Sequence, residues 1–195
     1  MKPFAYAVVG ALALGAALPA QALVVSARDN GNLVDLSNSA PGTLAADIGF
    51  QAFTNGVSPV TLDVTLEEAD LGDTLALNGI LDNLNGVNNF TELNLSLDGT
   101  VFAAIGDVFT VFSADPTISF ADEMATIEIL FAEGGEPFGI DIGNVGFGGD
   151  DFLIDIAGLA AGDMFSVTFS ATAVPAPGAL ALMLLGVGGL ALRRT

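Results

Sequence analysis

The sequence predicts an all-β domain, an antiparallel β-sandwich or jelly-roll-like single unit, and three observations lead there. Apolar and polar residues alternate with period two in several separate stretches, the pattern of a strand with one face buried and the other in water. Clusters of Gly, Asn and Asp separate these stretches, and such residues adopt turn conformations that other side chains resist. No part of the central chain sustains a 3.6-residue period over three turns, so no long amphipathic helix is expected.

Taken in chain order, the first element is a leader. Lys2 precedes the apolar run Ala5–Leu18, and Ala20 and Ala22 supply the small side chains that a cut before Leu23 requires. Residues 1–22 thus read as a secretory signal peptide, and 23–173 remain as one domain.

Within the domain, Val60, Leu62, Val64 and Leu66 alternate with Thr61, Asp63, Thr65 and Glu67. Leu93, Leu95 and Leu97 alternate with Asn94, Ser96 and Asp98, and Asp98-Gly99 then reads as a hairpin turn. The segment Ala121–Phe131 opens with Asp122 and Glu123 as a helix would, but Thr126, Ile127 and Ile129 are β-branched. It is expected to be a strand with a short helical turn at its start. Phe152, Ile154 and Ile156 give a further apolar face, and Phe165, Val167, Phe169 and Ala171 give the last. Gly106–Val111 and Gly162–Val167 echo each other as Gly-Asp followed by Phe-x-Val, which reads as one turn chemistry used twice. All but one of the 14 phenylalanines lie in the domain, where they are expected to fill the space between two sheets without a polar group to satisfy.

The chain ends with Val174-Pro175-Ala176-Pro177, the apolar run Gly178–Leu192, and Arg193-Arg194-Thr195. The apolar run is shorter than the ~20 residues of a comfortable membrane helix, so it would span with local thinning or arginine snorkelling. Arg193 and Arg194 would lie on the cytoplasmic side, leaving the acidic domain outside, in agreement with the leader.

This order of a Pro-containing tetrapeptide, a Gly-rich transmembrane helix and a basic end resembles the PEP-CTERM sorting signal of Gram-negative bacteria. The resemblance covers residues 174–195. Val174, Pro175 and Pro177 fit the usual Val-Pro-Glu-Pro, and Ala176 stands where Glu is commonest. It implies cutting near the Pro motif by exosortase, a membrane cysteine protease-transpeptidase. Delivery to the cell surface or the extracellular polysaccharide matrix would follow, with the helix as a membrane anchor until then.

All 23 acids fall within 23–173, where Arg28 is the only base. Nucleic acid is excluded as a partner because phosphate binding needs a basic footprint. So acidic a surface repels copies of itself, and stability is expected to rise with added salt. Cys and His are absent, which removes disulfides, thiolate nucleophiles, imidazole bases and Ser-His-Asp triads. Trp is absent and the one Tyr is Tyr6 in the leader, so the domain has no usual platform for stacking a sugar. The adjacent pairs Glu67-Glu68, Asp122-Glu123 and Asp150-Asp151 would point to opposite faces of a strand. The chain is therefore not expected to be an enzyme.

Calcium is the one cofactor the acids suggest, because it takes carboxylate and backbone oxygens. The candidate ligands are Asp70 and Asp73 in one short loop, and Asp141, Asn144, Asp150 and Asp151 in the Gly-rich segment Asp141–Asp151. The competing reading makes these acids solvated turn residues. The sequence thus points to a non-catalytic exported protein with a structural or adhesive role at the surface or in the matrix. A calcium-dependent or glycan-binding surface module is the alternative, and extracellular polysaccharide and the exosortase are the expected partners.

Overall fold

The computed structural model describes residues 23–51, 58–84, 88–110, 115–143 and 148–175. The leader residues Ala20 and Ala22, the loop residue Asn144 and the tail residues Ala176, Pro177, Arg193 and Arg194 lie outside this set. The described chain is all-β. Its strands are β1 (Val24–Arg28), β2 (Leu33–Asp35), β3 (Thr43–Ala45), β4 (Asp47–Phe50), β5 (Val60–Thr65), β6 (Thr74–Asn83) and β7 (Asn88–Asp98). There follow β8 (Phe102–Ala104), β9 (Val108–Thr110), β10 (Thr117–Ala121), β11 (Thr126–Leu130), β12 (Gly139–Ile142), β13 (Phe152–Asp155) and β14 (Met164–Pro175). Two 3-10 turns, Glu68–Asp70 and Asp122–Met124, are the only helical segments among the described residues, and no described helix is long and apolar enough to cross a membrane.

The first sheet has the order β1-β5-β14-β7-β11-β10 and is antiparallel throughout. Its inner face is the one the alternation marks: Val60, Leu62 and Val64, Leu93, Leu95 and Leu97, Ile127 and Ile129, and Phe165, Val167, Phe169 and Ala171 are all buried. Successive strand side chains point to opposite faces, so one apolar set per strand suffices to seat the whole sheet on a core. The segment from Ala121 is a hairpin: β10 enters β11 through Asp122, Glu123 and Met124, which take φ of 50°, 55° and 71°. Left-handed turn residues match the twist of the strands they join.

The second sheet runs β2-β4-β6-β12-β9, with β3, β8 and β13 attached around its longest strand, β6. One half of β6 pairs with β3 and β13 and the other with β4 and β12. Between the halves lies Gly79, where an added Cβ would sit 2.0 Å from the Ala46 carbonyl oxygen, so no larger residue fits. Both β3 and β4 run parallel to β6, and the sheet is mixed where an antiparallel one was expected. The cause is the route of the chain. After β4 it crosses to the first sheet to form β5, then returns as β6 in its original direction.

The sheets share one core, which makes the architecture sandwich-like. Phe50 of β4 meets Phe90 of β7 across it, with ring centroids 5.7 Å apart and planes at 85°, the edge-to-face geometry aromatic quadrupoles favour. Two phenylalanines depart from the expected packing role: Phe138 is 57% exposed and Phe120 38%.

Two local readings are corrected by the topology. Gly99 takes φ of 93° as a turn requires, but the following strand β8 pairs with β13 in the other sheet. Asp98-Gly99 is a crossover between sheets and not a hairpin, and the same left-handed glycine serves either path. The Gly-Asp echo is likewise two chemistries. Gly162 has φ of 91° in an open turn, where the Asp163 carboxylate accepts the Ala160 N–H at 2.8 Å. Gly106 instead packs against the backbone of Asp150–Phe152, leaving no room for a Cβ, and Asp107 accepts the Asp150 N–H at 2.8 Å.

Candidate functional site: an acidic band on the second sheet

Register places four carboxylates on the outer face of the second sheet. Asp35 of β2 lies opposite Asp47 of β4, Gly49 lies opposite Asp82 of β6, and Ile80 lies opposite Asp141 of β12. Ile48, Leu81, Ile140 and Ile142 point the other way and are buried. Asp35, Asp47, Asp82 and Asp141 therefore form a band across four adjacent strands. Beside it opens a groove of about 430 Å³ whose lining includes Leu33, Asp35, Asp47, Gly49, Asp82 and Leu84. Leu33 and Leu84 are 55% and 47% exposed, so the groove pairs apolar surface with an acidic rim.

The carboxylates in the band are not equivalent. Asp47 accepts the Ile80 N–H at 3.0 Å and so ties β4 to β6. Partial burial raises the Asp82 pKa above its ordinary value, and the Asp47 charge adds to the effect. Asp141 is raised by burial first, then by Asp82 and Asp47. Asp35 at the edge is lowered by hydrogen bonds from Ser37, whose N–H it accepts at 2.8 Å. The centre of the band thus resists ionisation because like charges crowd a half-desolvated surface.

Each candidate calcium ligand now has a place. Asp70 is 2% exposed, and its two oxygens accept the Gly42 N–H at 3.1 Å and the Glu67 N–H at 2.9 Å. It holds the 3-10 turn to the approach of β3. Asp73 is exposed, and its backbone carbonyl accepts the Ile156 N–H at 3.1 Å. Asp141 faces Asp82 and Asp47, while Asp151 accepts from the Asn78 amide at 3.1 Å and the Asp150 backbone pairs with Asp107. Asn144 lies outside the described residues. Among the described residues, no group of three acids is placed to hold a metal ion.

Sequence reasoning missed Asp35, Asp47 and Asp82. Each is a single acid within an apolar stretch, and only pairing between distant strands brings them to their partners. The first half of the Pro motif is also described: Val174 and Pro175 close β14, paired with Asn89 and Asn88 of β7. Comparison with family models, with curated proteins and with solved structures finds no match.

Proposed function

We propose that the chain is a non-catalytic, exported β-sandwich protein of the cell surface or extracellular matrix, sorted by an exosortase-type system and serving a structural or adhesive role. One observation carries the reading: a secretory leader at residues 1–22 and a tail at 174–195 agree on topology, and the tail has all three parts of a PEP-CTERM-like signal in order. The residue types support the non-catalytic role, since neither Cys nor His is present to act as nucleophile or base. Because β14 runs into Val174 and Pro175, the tail leaves directly from the middle of the first sheet. A cut near the motif would release the domain with almost no stalk.

The intact mass of the protein recovered from the membrane and the medium of its native host tests this. A species running from Leu23 to a new end near Pro175 or Pro177 is the expected result. A leader still attached would refute export. A chain ending at Thr195 in every fraction would make the tail a permanent anchor and refute sorting.

A second reading, a glycan-binding surface module, has one observation in its favour. Thr61, Thr168, Ser96 and Thr126 form a row of hydroxyls across β5, β14, β7 and β11. Thr61 and Thr168 lie within 3.0 Å through their hydroxyl oxygens, and Ser96 and Thr126 within 3.1 Å. Titration with soluble matrix polysaccharide, with and without a calcium chelator, tests this reading. No binding in either condition removes it.

A further inference from the structure

We propose that β10 is the docking edge for a second copy of this chain, which pairs with it antiparallel about Ser119 and joins two first sheets into one continuous sheet. β10 ends the first sheet: it pairs with β11 along its whole length and with no other described strand. Among the described residues its far side therefore presents N–H and C=O groups that another strand can satisfy, and such edges template pairing unless charge, proline or cover guards them.

The edges of this molecule differ in that guard. β1 carries Arg28, which reaches Asp63 at 2.8 Å, β2 carries Asp35, and β3, β8 and β9 have only three residues each. β10 has five residues, Thr117-Ile118-Ser119-Phe120-Ala121, with no charge in a domain that holds 23 acids. Phe120 lies opposite buried Ile127 on β11, so it faces the core side, yet it remains 38% exposed. The second sheet does not cover it.

A two-fold axis through Ser119 makes this edge self-complementary. It places the half-buried Ile118 of one copy opposite the exposed Phe120 of the other, and the reverse, so each uncovered phenylalanine meets a β-branched partner on one face. The pairing is isologous and closes at two copies, because the same patch is used on both sides. Asp115 at one end of the strand and Asp122 and Glu123 at the other bring like charges together at the ends of the shared ladder. Association should therefore strengthen with salt, which shortens the screening length from ~10 Å at ~0.1 M to ~3 Å at ~1 M.

The chain has no cysteine, so a single introduced thiol reports cleanly. In the full chain, Ser119→Cys would face its own copy across the axis, with Cβ atoms within ~4.5–5.5 Å. Ser26→Cys, exposed on the opposite edge of the same sheet, is the collision control. Under mild oxidation at high salt, Ser119→Cys is expected to give the disulfide-linked dimer at least about tenfold faster than the control, because pairing holds the thiols in bonding range. In sedimentation velocity the unmodified chain should move toward twice its 19.7 kDa mass as salt rises. Ser119→Lys, whose new charge lies opposite Glu128 within its own sheet, should stay at the single-chain mass. Equal cross-linking of the two cysteine variants would overturn the proposal. So would a mass that ignores salt, or a Ser119→Lys variant that still dimerises.

Discussion

No strand of the first sheet is shorter than five residues, whereas in the second every strand but β6 has three or four. The long strands pair along their length, and backbone ladders with alternating side chains are enough to fix them. Short strands close few ladder bonds, and in the second sheet acidic side chains supply the missing ties. Asp47 holds Ile80, Asp70 holds Gly42, Asp107 holds Asp150 and Asp151 meets Asn78. In the first sheet the corresponding polar contacts, such as Asp63 with Arg28 and Ser166, lie on the outer face between strands already paired. Four of the 23 acids that read in the sequence as a solvated surface are fastenings for the weaker sheet.

The largest expected effect is at the contact between the sheets. Phe50→Ala and Phe90→Ala should each cost about 3–5 kcal/mol in urea unfolding, since both rings are fully buried. The double substitution should fall short of their sum by about 0.5–1.5 kcal/mol. Strict additivity would show that the edge-to-face pair does not couple the sheets.

Next comes the hub of the second sheet. Gly79→Ala drives a methyl into the Ala46 carbonyl and should cost about 3 kcal/mol, near the upper end for single substitutions. Gly99→Ala, whose added carbon would find its nearest neighbour at 3.4 Å, should cost only the ~1–2 kcal/mol of a left-handed backbone. Equal losses in thermal melts would mean that the crossover is as tightly packed as the hub.

Third, Asp70→Asn should cost about 1–3 kcal/mol, because two N–H groups lose a charged acceptor, while exposed Asp73→Asn should change stability by less than ~0.5 kcal/mol. The Asp70 loss should be the same with calcium and with chelator. A loss that appears only in calcium would make the carboxylate a ligand and not a fastening.

The smallest effect concerns the acidic band. Asp82 and Asp141 have raised pKa values in the folded state, so the native state binds their protons more tightly than the unfolded chain. Stability is therefore lost as pH rises from the unfolded value of 3.8 through the folded ones. Asp82→Asn or Asp141→Asn should stabilise the protein at neutral pH by up to ~0.5 kcal/mol, and the gain should vanish as pH falls below 3.8. Asp63 behaves oppositely: the Ser166 hydroxyl and Arg28 lower its pKa, so its contribution is present above 3.8 and fades below it. A gain at Asp82 that persists in acid would point to repacking in place of charge relief.

The inner faces of β5, β7, β11, β13 and β14 were legible because a strand with one buried face must alternate, and the runs read on these strands do so without interruption. β2, β3 and β4 were not legible, since their three or four residues stand without an alternation that continues beyond them, whereas the four residues of β13 are extended by buried Ile156. β6 carries Leu75, Leu77 and Leu81 on its buried face, but Gly79 interrupts the series and Ile80 points outward. Of the acids singled out from sequence, Asp141 lies in the acidic band, whereas Asp70 is turned inward to serve the backbone.

The sequence by itself determined that the chain forms strands, which side of most long strands faces the core, and that the domain 23–173 is acidic with a single arginine to answer it. These are local or compositional properties, readable from neighbours two positions apart. Only the tertiary structure decided which strands pair, that β3 and β4 run parallel to β6, that Asp98-Gly99 crosses between sheets, and which acids fasten the fold. Backbone groups are the same at every residue and hydrogen-bond across dozens of positions, so the choice of partner follows from how all the faces close around one core.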